Sequence, residues 1–262
     1  MTKKKFVLTI ISLFFSLSAL VLLFTNSQYF IYLAIAAIIS TGLYGYFIRQ
    51  ENKELLRVNN ILNEELDINN YITAYKKVKK KYIQSKDDIL LDELLILEAK
   101  TATINFNDIK EELEYYINLE PNFTDVQKFV FYQSWFKYLL RQQQLMKATL
   151  LLDQMNILYS HFPNSYRHLI NNLTINKLRL NVYKNEYIHE TERVLKQLLQ
   201  SRLSKLNFIS IMYLLGVLSF NNNDLKSARL RFEYVLKNGK SLAIVEEAKN
   251  HLEIIQNKTD II

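Results

Sequence analysis

The chain has 262 residues, with only four glycines, two prolines and no cysteine, and a net charge of +7. So few turn residues exclude a sandwich or barrel of many short strands and the glycine-rich loops of nucleotide-binding folds. The lack of cysteine excludes a disulfide framework and a thiolate metal site. The positive balance does not make nucleic acid an expected partner, because the basic knot Lys76, Lys77, Lys79, Lys80 and Lys81 is followed by an acidic stretch from Asp87 to Glu120.

Between Lys5 and Arg49 no side chain is charged, and two apolar blocks, 6–24 and 29–48, flank the polar segment Thr25-Asn26-Ser27-Gln28. At ~1.5 Å per residue each block makes a helix of about 30 Å, the depth of a bilayer's hydrocarbon core. The expectation is a two-helix transmembrane hairpin over residues 1–49. Lys3, Lys4 and Lys5 before it and Arg49, Lys53 and Arg57 after it place both flanks on the cytoplasmic side of a bacterial inner membrane. A cleaved signal peptide is the rival reading of the first block, and it leaves the large domain on the same side. Ser12, Ser16 and Ala19 in one block and Ala37, Thr41 and Gly45 in the other form faces on which two helices can approach.

Juxtamembrane helices are expected at 50–66 and 68–83. The lysine knot, Lys76, Lys77, Lys79, Lys80 and Lys81, is a candidate contact for an anionic bilayer surface, with a solvated helix end as the alternative. From residue 87 to 262 apolar positions recur with a period near 3.6 in blocks of 12 to 20. They predict helices at 87–103, 107–119, 124–142, 145–161, 165–184, 186–201, 205–221, 224–237 and 241–256. Pro121 and Pro163 fall just past helix ends, Gly239 stands where a left-handed terminating residue is expected, and Thr124 and Ser241 are placed as N-caps.

The most regular unit runs from Ile209 to Lys240, with Leu215-Gly216 in its first helix, Asp224-Leu225 at the turn, and Ala228 and Phe232 in its second. This resembles the tetratricopeptide repeat, a 34-residue helix–turn–helix unit with a Leu-Gly pair, then a small residue and an aromatic four later. It departs from that pattern at Met212, Ser219 and Lys240, where the family prefers Trp, Tyr and Pro. Weaker units use Leu113, Tyr116 and Pro121; Trp135-Phe136 with Ala148 and Leu152; and Leu178 and Val182 with Thr191, Leu195 and Leu198. The resulting fold class is all-α: the hairpin, then an α-solenoid of tetratricopeptide-like pairs closed by a capping helix. The resemblance implies a concave groove lined by first-helix residues Gln133, Lys137, Asn176, Leu180, Tyr183, Tyr213, Val217 and Phe220.

No motif of a reaction is found. The histidines His161, His168, His189 and His251 lack metal-ligand spacing, and no nucleophile elbow, P-loop or EF-hand loop is present. Catalytic residues, metals and cofactors are therefore not expected. The reading is a membrane-anchored, non-enzymatic scaffold whose partners are a protein or peptide and the lipid bilayer. The alternatives are a tethered sensor of a short signalling peptide and an accessory subunit of a larger membrane complex.

Overall fold

The structure, a computed structural model, describes residues 9–11, 13–18, 30–81, 85–103, 106–163 and 169–259. Among these residues every regular element is helical, and one isolated antiparallel bridge joins Thr103 to Leu242. The chain divides into two compact units, residues 1–60 with 69–87 and residues 61–68 with 88–262.

In the first unit α1 runs unbroken over Phe30–Asn60, and α2 spans Ile68–Lys79. The expected boundary at Arg49 is not there. Arg49-Gln50-Glu51-Asn52-Lys53 carries charge but neither glycine nor proline, and charge alone does not stop a helix. The transmembrane hairpin is corrected accordingly: no helix among the described residues is long and apolar enough to cross a membrane. In α1 the apolar stretch is thinned by Ser40, Thr41, Gly42, Tyr44, Gly45 and Tyr46, and it continues into Arg49, Lys53, Glu54 and Arg57 instead of ending as a separate rod. Most of the first block lies outside the described residues, Ser12 and Ala19 included; 9–11 and 13–18 are helical. With the hairpin, the inner-membrane location and the cytoplasmic orientation built on it are withdrawn. On α2 Tyr71, Tyr75 and Val78 form a buried stripe. Lys79 stands 5.3 Å above the Tyr75 ring, and Lys81 donates to both carboxylate oxygens of Glu54 at 2.8 Å.

The second unit starts with a π-helical turn at Ile61–Glu65 and continues as helix pairs. The pairs are α3 (Lys86–Lys100) with α4 (Phe106–Leu119), α5 (Asp125–Arg141) with α6 (Leu145–Ser160), α7 (Ile170–Lys184) with α8 (Ile188–Leu199), and α9 (Lys205–Asn221) with α10 (Leu225–Asn238); α11 (Ala243–Thr259) follows. These bounds differ from the predicted ones by a few residues. Helix α5 carries two apolar faces. Val130 and Phe131 join Leu94, Leu97, Ile109, Leu113 and Phe123 in one core, while Phe129, Phe136, Leu139 and Leu140 join Ala148, Leu152, Met155, Leu173 and Leu180 in the next. A helix buried on both sides by neighbours is how successive pairs share one continuous core.

Local chemistry sets the ends. Thr124 accepts from the Gln127 backbone N–H while the Gln127 side chain accepts from the Thr124 N–H, a reciprocal cap on α5. Ser204 and Asp224 cap α9 and α10 from one side only, accepting from the backbone N–H groups of Asn207 and Ser227. Two punctuation readings fail. Gly239 has a right-handed φ of −80°, and Lys240 takes the left-handed turn at φ 51°. Glycine is still required at 239, because a Cβ there would meet Val245 Cγ2 at 2.4 Å and the Val235 carbonyl oxygen at 2.8 Å. Ser241 does not cap α11; its hydroxyl donates to the Leu66 carbonyl, and Lys240 donates to that of Glu65.

The stack closes on itself. The Ala243 N–H donates to the Ala102 carbonyl at 2.9 Å beside the Thr103–Leu242 bridge, so the start of α11 is joined to the segment that follows α3.

Candidate functional site

Where α5, α7, α9 and α11 converge, they enclose a cleft of about 490 Å³. Arg141, Gln142 and Gln143 come from the end of α5 and the turn after it, Tyr183 from α7 and Tyr213 from α9. Helix α11 supplies Glu246, Glu247, Asn250, His251 and Ile254 along one wall. Spacings of three and four put the α11 residues on one face.

Glu247 is the centre of the arrangement. Its Oε1 lies 3.3 Å from Arg141 Nε, and its Oε2 accepts from the Tyr183 hydroxyl at 3.2 Å. The Arg141 guanidinium is also held from behind, donating through Nη1 to the carbonyls of Thr101 at 2.8 Å and Thr103 at 3.3 Å. Burial, reinforced by the negative charge of Glu247, raises the Tyr183 hydroxyl well above its ordinary value. The Tyr213 hydroxyl is pushed up in the same way, by burial first and then by Tyr183 and Glu247. Both phenols therefore remain protonated donors near neutral pH.

Arg179, one turn before Tyr183, donates through Nη1 to Asn176 Oδ1 at 3.2 Å. Burial lowers its pKa and the like charge of Arg141 adds to the effect, while Tyr183, Glu247 and Tyr213 oppose it. His251 stacks flat on Phe232, 4.8 Å between centroids and 3° between planes, with Phe220 at 5.0 Å. Burial holds its imidazole below the usual value of 6.5, Glu247 partly opposing, and its buried Nδ1 makes no hydrogen bond within the described residues.

Of the groove residues expected from sequence, Tyr183 and Tyr213 line this cleft and the others do not. Gln133 is buried at 2% exposure, its Nε2 without a partner, and Leu180 belongs to the core. Asn176 is buried beneath Arg179, while Lys137 pairs with Glu98 at 3.0 Å. Val217 is half-buried away from the cleft, and Phe220 packs between His251 and Lys258, whose Nζ is 5.0 Å from the ring. Within the knot, Lys76, Lys77 and Lys80 are exposed, whereas Lys79 and Lys81 have the partners in their own unit described above.

Sequence reasoning missed Arg141, Arg179, Glu247 and His251. The signal was present in part: Glu247 and His251 stand four apart on α11, and Arg141 continues the stripe Gln133, Lys137. His161 and His189 are exposed, and His168 lies outside the described residues. Among the described residues no group of three or more His, Cys, Asp or Glu side chains could hold a metal ion. Compared with known proteins, the chain matches no family model, no curated protein and no solved structure.

Proposed function

We propose that this chain is a non-enzymatic interaction protein, built of tetratricopeptide-like helix pairs, that holds a short segment of a protein or peptide partner. The observation that supports this reading is the cleft walled by Arg141, Tyr183, Tyr213 and α11. Its volume, about 490 Å³, falls in the range of ~300–1,000 Å³ in which proteins take small ligands. It accommodates a few residues of extended chain and not a folded domain. Gln142, Gln143 and Asn250 at its edge offer both amide donors and acceptors, the complement of a peptide backbone. Ile254 on the rim is exposed and presents an apolar contact for a side chain of the partner.

A photoreactive amino acid at Asn250 in the full-length protein tests this in cells. Capture of a peptide or of one protein through a short stretch of its sequence is the expected result. The same residue at Leu150, exposed on α6 and outside the cleft, is the control. Equal capture from both positions, or none from Asn250, would refute the reading.

A further inference from the structure

The cleft's donors already hold an anion, and that anion belongs to the chain. Glu98, Lys137, Arg141, Arg179 and Glu247 come from α3, α5, α7 and α11, with Glu246 on the cleft rim. Glu98 pairs with Lys137 at 3.0 Å and Glu247 with Arg141 at 3.3 Å, which leaves Arg179. Among the described residues no carboxylate comes within 4.0 Å of the Arg179 guanidinium, and its hydrogen bond goes to the neutral amide of Asn176. Glu247 also opposes the loss of charge that burial imposes on Arg179, so one carboxylate faces two guanidinium groups.

We infer that the cleft is a carboxylate-binding site plugged from within by Glu247, and that a peptide bearing a carboxylate binds by displacing this side chain. This rests on the cleft being a ligand site, as proposed above. The seat itself does not depend on the plug alone. Arg141 is anchored by two backbone carbonyls in addition to Glu247, and the Tyr183 hydroxyl comes from a separate helix. Displacement needs a rotation about side-chain bonds only. Helix α11 stays docked through Ala243, Ala248 and Ile255, all buried, while the Glu247 side chain is 27% exposed. An incoming carboxylate takes over the charge-assisted bond to Arg141 and the phenol bond. Glu246, on the rim, is exposed and without an ion-pair partner among the described residues. It disfavours a polyanion, and so selects ligands with a single acidic group on an otherwise neutral or basic chain.

The test uses the full-length chain with Glu247→Ala, and with Glu247→Gln as the isosteric variant in case the alanine does not fold. Acetate is the probe and acetamide its uncharged control, at matched ionic strength set with chloride, with thermal midpoint as the readout. Acetate is expected to raise the midpoint of the variant saturably at concentrations at least tenfold below those needed for wild type, whose own carboxylate competes. Acetamide is expected to do nothing, and Arg141→Gln in the same background is expected to abolish the effect. Equal responses to acetate and acetamide, or equal responses of variant and wild type, would overturn the inference. N-acetyl trialanine with a free C-terminus, its C-terminal amide, and N-acetyl-Ala-Glu-Ala amide then distinguish a terminal from a side-chain carboxylate; binding of the neutral amide as tightly as the other two refutes carboxylate recognition. The acetate result stands independently of partner capture at Asn250, so failure of one is distinguishable from failure of the other.

Discussion

Replacing Gly216 by alanine probes the close approach of α9 to α10. A Cβ at this position would lie 2.7 Å from Phe232 Cε1, 2.9 Å from Cδ1 and 3.2 Å from Cζ, against ~3.5–4.0 Å for an unstrained carbon contact. The ring has nowhere to retreat: Phe232 is 0% exposed, and its other side stacks on His251 at 4.8 Å. Overpacking of this kind costs about 1–3 kcal/mol, and the better helix propensity of alanine returns about 1 kcal/mol. The net loss is therefore about 1 kcal/mol, or roughly 2–4 °C in midpoint for a chain of this size. A double-mutant cycle isolates the clash. With Phe232→Leu the ring is gone, and Gly216→Ala should then be neutral or stabilising by about 1 kcal/mol. Urea denaturation followed by circular dichroism gives the four midpoints, at constant slope. A coupling energy below ~0.5 kcal/mol would show that the two positions do not meet as described.

Gln133→Met should stabilise the protein by about 1 kcal/mol, because the buried Nε2 has no partner and its desolvation penalty disappears with the amide; a lowered melting midpoint contradicts this. Hydrogen bonds from the Ser227 hydroxyl, first, and from the Ser227 N–H at 3.1 Å hold the Asp224 carboxyl below the usual 3.8. The stability it contributes is present above that pH and lost as pH falls through the lower folded-state value, so Asp224→Asn should flatten the acid limb of the unfolding profile below about pH 4. Burial keeps His251 below 6.5, so the folded state favours the neutral ring and stability is lost as pH falls beneath that value. Wild type should weaken between about pH 7 and 5 more than His251→Phe, which retains the stack on Phe232 but cannot titrate; parallel profiles would refute it.

The helix pairs were legible because each carries a 3.6-residue apolar stripe and ends at recognisable chemistry, such as Thr124 with Gln127 or the prolines at 121 and 163. Gly216 and Phe232 were both recognised as parts of the repeat, but that the ring packs on the glycine of its own pair came only from the structure. What stayed hidden depends on distance along the chain. Nothing about Ala102 or Ala243 marks them as partners, and Arg141 and Glu247 read as two ordinary surface charges until the stack closes and brings them together. Closure also explains the misplaced groove: an open stack would expose Gln133 and Asn176 on its inner side, whereas here both are buried. The error at Arg49 had another cause. A jump in polarity was taken for the end of a helix, although backbone propensity continued through it.

The join between Ala102 and Ala243 spans about 140 residues of chain, and this sets an order of events during synthesis. Each helix pair can nucleate from neighbouring contacts soon after it emerges, since stacked pairs need only the pair beside them. The join is different, because loop closure over such a span must wait for the whole intervening chain. At ~5–20 residues per second the segment after α3 precedes its partner by roughly 7–30 s. Once Arg141 is made it can be steadied by Thr101 and Thr103 but not yet by Glu247, and the wall later formed by α11 does not exist. A nascent chain thus passes through an open form of its own cleft, and translation of α11 closes it.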